Sequence, residues 1–128
     1  MILNNRVKIF LAIVSFMMAL AISLGAFGAH GLKAILDEYM LKIYHTGVEY
    51  HFYNTLGLFV ASFIYALKPD SKKIYIAIWL IIIGMFIFSF SLYLLAVLSM
   101  PILGAITPIG GSLLIIAWLT LTYGILKD

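Results

Sequence analysis

Long apolar runs constrain the fold of this chain more than any other feature of its sequence. The first run continues from Ile9 to Ala29 without a charged residue, and it follows Arg6 and Lys8. At a rise of about 1.5 Å per residue, about 20 helical residues cross the ~30 Å hydrocarbon core of a bilayer. The alternative is a cleaved signal peptide, whose apolar region is about 7–15 residues long. The greater length of this run favours a transmembrane helix.

The low share of charged residues extends this interpretation to the whole chain. Only 10% of the 128 residues are charged, whereas 65% are hydrophobic. A soluble domain has roughly a quarter of its residues charged, so the outer surface of this chain must contact lipid. We therefore predict an all-α membrane protein, a four-transmembrane-helix bundle that forms a single domain over residues 1–128. The predicted spans cover about 7–29, 47–67, 74–98 and 109–126.

The segment between the first two spans is amphipathic. Residues 30–46 include the charged residues Lys33, Asp37, Glu38 and Lys42. Their apolar residues recur at helical spacing: Leu32, Ile35, Leu36, Tyr39, Met40 and Ile43. This pattern predicts a short amphipathic helix that lies in the headgroup layer.

Basic residues near the ends of the spans predict the orientation. Six lie on one predicted side of the membrane, namely Arg6, Lys8, Lys68, Lys72, Lys73 and Lys127, and two lie on the other, Lys33 and Lys42. Cytoplasmic loops carry the excess of Lys and Arg, so both termini are predicted to be cytoplasmic. Because the basic residues follow this pattern, the net charge of +3 does not indicate a nucleic-acid partner.

Four short motifs resemble those of a known family. They are Gly-Ala-Phe-Gly-Ala-His-Gly-Leu at 25–32, Thr-Gly-Val-Glu-Tyr-His at 46–51, Phe-Ser-Phe-Ser-Leu-Tyr-Leu at 88–94 and Leu-Gly-Ala-Ile-Thr-Pro-Ile-Gly-Gly at 103–111. In order and spacing they resemble the YgdD-like family of small bacterial inner-membrane proteins, a family of unknown function with eukaryotic mitochondrial relatives. The resemblance implies four spans and a bacterial cytoplasmic membrane, but no activity. Members usually have Gln at the position of His51 and often have His at that of Asn54, so a shared role for that helical face does not carry over.

The motifs place a candidate polar layer at the outer leaflet, made of Glu49, His30, His45, His51, Tyr93 and Thr107. Carboxylates within spans are costly unless they are paired or hydrated, so Glu49 indicates either a functional pair or an interfacial residue. We expect Glu49 to contact His30, Tyr93 or a free N–H near Thr107. His45, Glu49 and Tyr53 share one face of the second span, and a neighbouring face carries Tyr44, His51, Asn54 and Thr55.

Metal binding is not predicted at this layer. No two of the three histidines have the i, i+4 spacing of a helical chelate, and the chain has no cysteine. Thr107 and Pro108 resemble a helix start, with Thr107 as the cap, which could either attract an anion or form a simple turn.

Small residues are expected to bring helices into close contact. They are Ser15, Ala19, Ser23, Gly25, Gly28, Gly110 and Gly111, and we expect an especially close contact at Gly25. Small residues every four positions allow close helix packing in lipid, either within one bundle or between copies of the chain.

These observations favour a small accessory or packing protein that stabilises a partner or the bilayer. The alternative is an oligomeric transporter or channel for a small solute or ion. We do not expect an enzyme, because the chain has no nucleophile motif, P-loop or dinucleotide fingerprint. The expected partners are membrane lipids, together with further copies of the chain where it self-associates, and no cofactor is expected.

Overall fold

A computed structural model describes residues 3–128, and within these residues the chain is all-helical. Its four α-helices are α1 (Asn5–His30), α2 (Glu38–Leu67), α3 (Lys72–Leu98) and α4 (Ile102–Lys127). A 3₁₀ turn, Leu32–Ala34, lies between α1 and α2. Each predicted span falls inside one of these helices. Residues 1 and 2, which the predicted domain includes, lie outside the described residues.

The predicted interfacial helix over residues 30–46 is not confirmed. This segment contains the end of α1, the 3₁₀ turn and the first nine residues of α2. Asp37 divides it, because its side chain accepts a hydrogen bond of 2.8 Å from the backbone N–H of Met40 and so caps α2. A capping carboxylate satisfies one of the free N–H groups of a helix start, which explains why α2 begins before the second apolar run.

The predicted role of Thr107 as a helix cap is wrong. Helix α4 begins at Ile102, immediately after Pro101, and Pro108 lies inside it. The Thr107 hydroxyl donates a hydrogen bond of 3.1 Å to the carbonyl of Leu103, one turn earlier. The free N–H groups proposed near Thr107 therefore belong to the first turn of α4 instead.

Helix α3 lies at the centre of the packing. It contacts α4 most extensively and α2 next, while α1 packs mainly on α2. The contact between α3 and α4 requires glycine: a Cβ at Gly110 would lie 2.4 Å from the backbone nitrogen of Phe88, and one at Gly84 would lie 3.1 Å from the backbone nitrogen of Leu114. Small residues at such positions let two helix backbones approach closely.

One end of the bundle, the basic end, contains the six Lys and Arg residues counted above. Two contacts show that the elements meet there: Arg6 donates a hydrogen bond of 3.4 Å to the hydroxyl of Tyr65, and Lys68 donates one of 3.1 Å to the carbonyl of Ile125. Asp128 accepts hydrogen bonds from Ser71 and Lys73, which hold its pKa below the ordinary value. The opposite end, the far end, contains residues 30–46 and the α3–α4 connection.

The buried apolar side chains form two clusters. The larger extends from Val7 and Tyr65 at the basic end to Met17, Met85 and Leu114 in the middle of the bundle. The smaller lies at the far end and consists of Leu32, Tyr44, Tyr93 and Ala96. Polar residues are also buried, and they are His51, Asn54, Thr55, Ser62, Ser71, Ser89 and Ser91.

Three helical segments among the described residues are long and apolar enough to cross a membrane. They are Asn5–Ala34, Lys72–Leu98 and Ile102–Lys127. Helix α2 is not one of them, although it is the longest helix at 30 residues. Its apolar residues are interrupted by polar ones, and four of these are buried: His51, Asn54, Thr55 and Ser62.

Candidate functional site

The buried polar face of α2 is the first component of the candidate site. Tyr44, His51 and Thr55 are at most 1% exposed, and Asn54 is 6% exposed. Their spacing along α2 directs them towards the other helices. Buried polar groups are costly unless they are hydrogen-bonded, so the partners of these side chains explain how the face is tolerated.

His51 joins α2 to α3. Its Nδ1 and the hydroxyl of Tyr93 are hydrogen-bonded at 2.8 Å, with both side chains buried. Gly47, one turn before His51, makes room for this tyrosine, because a Cβ there would lie 2.9 Å from the Tyr93 ring. The other ring nitrogen, Nε2, is buried without a hydrogen-bond partner among the described residues, although the backbone carbonyl of Met17 faces the ring.

Asn54 joins α2 to α4. Its Oδ1 accepts a hydrogen bond of 3.0 Å from the indole N–H of Trp118, and its Nδ2 donates one of 2.8 Å to the carbonyl of Tyr50. Gly57 lies against the Trp118 ring, since a Cβ there would be 2.5 Å from a ring carbon. The indole therefore occupies space that only a glycine on α2 leaves open.

A third polar pair joins α3 to α4. The hydroxyls of Ser91 and Thr107 are 2.6 Å apart, and the carbonyl of Phe88 lies 2.8 Å from Ser91 Oγ. Three members of the predicted polar layer, His51, Tyr93 and Thr107, thus take part in hydrogen bonds between helices. They do so in two separate pairs.

Glu49 does not join these pairs. Its side chain is exposed and has no hydrogen bond or ion pair within the part of the chain that the structure describes. His30 and His45 are also exposed. The expected contact of Glu49 with His30, Tyr93 or Thr107 is therefore wrong. Within residues 3–128, no three His, Asp or Glu side chains gather as metal ligands would.

The predicted packing residues fall into two groups. Gly28 and Gly110 are buried at close contacts, and a Cβ at Gly28 would lie 2.4 Å from the Tyr44 ring. Gly25 and Gly111 have room for a Cβ, with the nearest side chains 3.5 Å away. Ser15, Ala19 and Ser23 face outward on α1. The close contact expected at Gly25 therefore occurs one turn later, at Gly28.

A groove between α2 and α4, which we call the lateral groove, is the second component of the candidate site. Its volume is about 690 Å³. The residues that line it are Tyr50, Tyr53, Asn54, Phe88, Gly111, Leu114, Ile115, Trp118 and Leu119. Its walls hold four aromatic rings, and the Asn54–Trp118 pair lies within it. None of the lining residues is charged.

Two positions at the contact between α2 and α4 had little signal in the sequence. From the sequence alone, Trp118 is interpreted as a packing or interfacial residue. Nothing in the sequence distinguishes Gly57 from the other glycines among the ten. Gly57 on α2 and Trp118 on α4 contact each other, and a single sequence does not give the register between these two helices. The burial of Asn54 could have been anticipated, because it lies on the same helical face as Tyr44 and His51.

Comparison with known proteins gives one matching family model and several similar membrane proteins. A family model described as "Protein of unknown function (DUF423)" matches residues 24–111. The chain is 42% identical to the UPF0382 membrane protein YwdK of Bacillus subtilis over 94% of this chain and 98% of the relative. It is 37% identical to a UPF0382 membrane protein of Haemophilus influenzae, over 93% of this chain and 94% of the relative. No solved structure matches the chain.

Proposed function

This chain belongs to the DUF423 family of membrane proteins, whose function is unknown, and we propose that it is a non-catalytic accessory protein that holds a hydrophobic partner in the lateral groove. The observation that carries this proposal is the groove itself. It combines aromatic and aliphatic walls with a polar pair, Asn54 and Trp118, and ligand sites are typically apolar with a few placed polar groups.

The proposal includes a topology with four spans. We infer that α2 crosses the bilayer with the other three helices, because its buried polar residues face the bundle and not the lipid. Polar residues in spans are tolerated in that position. The excess of basic residues supports a cytoplasmic location for the basic end and for both termini, in a bacterial inner membrane. The 3₁₀ turn and the start of α2 would then lie at the outer surface, and the specific likeness to YgdD-like proteins stays a prediction.

A role without catalysis is supported by how the polar groups are used. The pairs His51–Tyr93 and Ser91–Thr107 hold helices together, and neither pair lines the lateral groove. A catalytic nucleophile and base would instead be expected next to a site that admits substrate. The same arrangement favours neither a cofactor nor a nucleic-acid partner.

The alternative, a transporter or channel that functions as an oligomer, is favoured by a different observation. Three buried polar atoms have no partner among the described residues: His51 Nε2, Ser62 Oγ and Ser89 Oγ. Polar atoms inside a membrane bundle often mark the path of an ion or solute. If these atoms belonged to such a path, water or an ion would have to pass between α2 and α3.

Photocrosslinking from the groove tests the accessory proposal. A photoreactive diazirine amino acid is placed at Leu119, which lines the groove, or at Ile22 on the exposed face of α1, and cells are irradiated. We expect a discrete adduct of defined mass at Leu119 and only heterogeneous products at Ile22. Identical products at the two positions would refute a site in the groove.

Flux measurements separate the accessory protein from the transporter. Proteoliposomes with the purified protein should leak protons, sodium and potassium no faster than protein-free liposomes. A flux that His51→Phe or Ser89→Ala abolishes would contradict the accessory proposal and favour the transporter.

A further inference from the structure

We propose that a cavity at the basic end binds the headgroup of an aminophospholipid, with the lipid phosphate on Arg6 and the lipid ammonium group on Asp70. This cavity, which we call the basic-end cavity, has a volume of about 450 Å³. The residues that line it are Asn4, Asn5, Arg6, Tyr65, Pro69 and Asp70. It is separate from the lateral groove, so the inference goes beyond the proposed function.

The basic-end cavity lies where lipid headgroups meet the protein. Its walls come from the start of α1, the last turn of α2 and the connection that leads into α3. The segments Asn5–Ala34 and Lys72–Leu98 are both long and apolar enough to cross a membrane, and the cavity lies beside the first residues of both. The headgroup layer borders the hydrocarbon core at the ends of such spans. A lipid headgroup can therefore reach this cavity without entering the bundle.

Two opposite charges line the cavity without pairing. Arg6 and Asp70 are both exposed, and they do not form an ion pair with each other. The single ion pair among residues 3–128 joins Lys73 to Asp128, and neither of these residues lines the cavity. A purely anionic ligand would be repelled by Asp70, and a purely cationic one by Arg6. The two charges together favour an occupant that carries both signs, as a zwitterionic headgroup does.

Two tyrosines contact the Arg6 guanidinium. Its Nη1 donates the hydrogen bond of 3.4 Å to the hydroxyl of Tyr65, and its Cζ lies 4.7 Å from the centre of the Tyr75 ring. Tyr65 takes one of its N–H donors, and the other donors have no partner in the part of the chain that the structure describes. A guanidinium binds phosphate through two parallel hydrogen bonds, so Arg6 can bind a phosphate while it keeps both tyrosine contacts.

The remaining polar groups of the cavity define which headgroup fits. Asn4 Oδ1 accepts a hydrogen bond of 2.9 Å from the backbone N–H of Val7, which leaves the Asn4 amide nitrogen as a second donor for phosphate oxygens. The carboxylate of Asp70 accepts hydrogen bonds, and a primary ammonium group donates up to three. A trimethylammonium group has no N–H and donates none. The cavity should therefore prefer a primary ammonium headgroup to a choline headgroup.

The test compares three phospholipids with the same acyl chains: phosphatidylethanolamine, phosphatidylcholine and phosphatidylglycerol. The full chain is purified in mild detergent, each lipid is added, and the bound lipid is counted by native mass spectrometry. We expect one phosphatidylethanolamine per chain, bound about fivefold more tightly than either of the others, a ratio that one exposed ion pair can supply. Asp70→Asn should remove this preference, and Arg6→Gln should weaken the binding of all three lipids.

Lys72→Gln and Glu49→Gln are the matched controls. Each removes one charge from an exposed position that does not line the cavity, and both variants should bind phosphatidylethanolamine as the parent does. If Lys72→Gln weakens binding as much as Arg6→Gln, or if the parent binds phosphatidylglycerol best, the basic end attracts anionic lipids through its net charge alone and the site is overturned. Equal binding of phosphatidylethanolamine by Asp70→Asn and the parent overturns it as well.

Carbodiimide coupling in proteoliposomes reports which carboxylate contacts the lipid ammonium group. The reagent activates a carboxylate, the amine of phosphatidylethanolamine displaces the activated oxygen to form an amide, and the carbodiimide leaves as its urea. We expect the lipid adduct on Asp70, with a lower yield in Arg6→Gln. Glu49, which is exposed outside this cavity, serves as the internal control. Equal labelling of Asp70 and Glu49 would contradict the assigned contact.

A final arm distinguishes a membrane lipid from a soluble ligand with the same chemistry. Glycerophosphoethanolamine, at the same concentration as the lipid, should leave phosphatidylethanolamine bound. Displacement would assign the cavity to a soluble amine phosphate and overturn the lipid. These outcomes are independent of the lateral groove, because photocrosslinking from Leu119 tests the proposed function whichever lipid binds at the basic end.

Discussion

Two faces of α2 carry polar side chains, and they differ in what they contact. His45, Glu49 and Tyr53 lie on the exposed face, and Glu49 has no hydrogen-bond partner among the described residues. On the buried face, His51 binds Tyr93 of α3 and Asn54 binds Trp118 of α4. Among the described residues, the exposed face therefore makes no hydrogen bond to another helix, whereas the buried face joins α2 to both α3 and α4.

The physical reason lies in the cost of removing each group from water. A buried carboxylate requires a paired charge or several hydrogen bonds, whereas a neutral amide or hydroxyl can be satisfied by one or two partners. Glu49 is not buried among the helices, so it needs no partner inside the bundle. The burial of His51 and Asn54 is supported by the hydrogen bond between His51 Nδ1 and Tyr93 and by the one that Trp118 donates to Asn54 Oδ1. In α2, the neutral polar residues therefore mark the interior of the bundle, and the charged residue Glu49 does not.

The largest expected effect is at Gly47, on the buried face. A Cβ there would lie 2.9 Å from the Tyr93 ring and 3.1 Å from the backbone carbonyl of Ser89, and the backbone cannot move aside as a side chain can. We predict that Gly47→Leu lowers the free energy of unfolding by about 3 kcal/mol, the upper part of the range for overpacked sites. SDS titration in mixed micelles measures this, with Val48→Leu as the control. Equal losses for the two variants would contradict the close contact.

A smaller effect is expected for the His51–Tyr93 pair, and it separates hydrogen bonding from packing. His51→Phe keeps a ring in place but leaves the Tyr93 hydroxyl buried without its partner, so we expect a loss of about 1–2 kcal/mol. His51→Phe/Tyr93→Phe removes both polar groups, together with the unpartnered Nε2, and should recover most of this loss. Thermal unfolding in detergent, followed by circular dichroism, compares the single and double variants. Additive losses would show that the pair is not coupled.

The sequence predicts the helices better than it predicts their contacts. The ends of α1, α2 and α3 follow from apolar runs that stop at a polar or proline-containing segment. The sequence predicts the start of α4 several residues too late, because a Thr-Pro pair resembles a helix start even when the helix has already begun. The early start of α2 had a signal in Asp37, a good capping residue. That the chain is a membrane protein of an uncharacterised family is confirmed by its relatives.

The candidate site was only partly predictable. Helical spacing separated the two faces of α2 correctly, but spacing alone does not say which face meets another helix. That choice depends on the register of α2 against α3 and α4, which brings Tyr93 to His51 and Trp118 to Asn54. Register is set by close contacts such as those at Gly47 and Gly57, and each of these involves residues far apart in the chain. A carboxylate in a predicted span suggests a partner inside the bundle, but Glu49 is exposed on the outside of α2.

The smallest expected effects compare the same substitution on the two faces. Asn54→Leu removes the acceptor of the Trp118 indole, and hydrogen bonds between membrane helices average about 0.6 kcal/mol, with a maximum of about 1.7 kcal/mol. Glu49→Leu removes a carboxylate that has no partner among the described residues, so its effect on unfolding should lie within about 0.5 kcal/mol of zero. Leucine has a higher helix propensity than asparagine and one similar to that of glutamate, so the loss measured for Asn54→Leu understates the lost hydrogen bond. SDS unfolding of both variants at one pH gives the comparison. If Glu49→Leu is the more destabilising variant, Glu49 has a stabilising partner in the assembled protein. The exposed face of α2 would then have to be considered as part of the functional site.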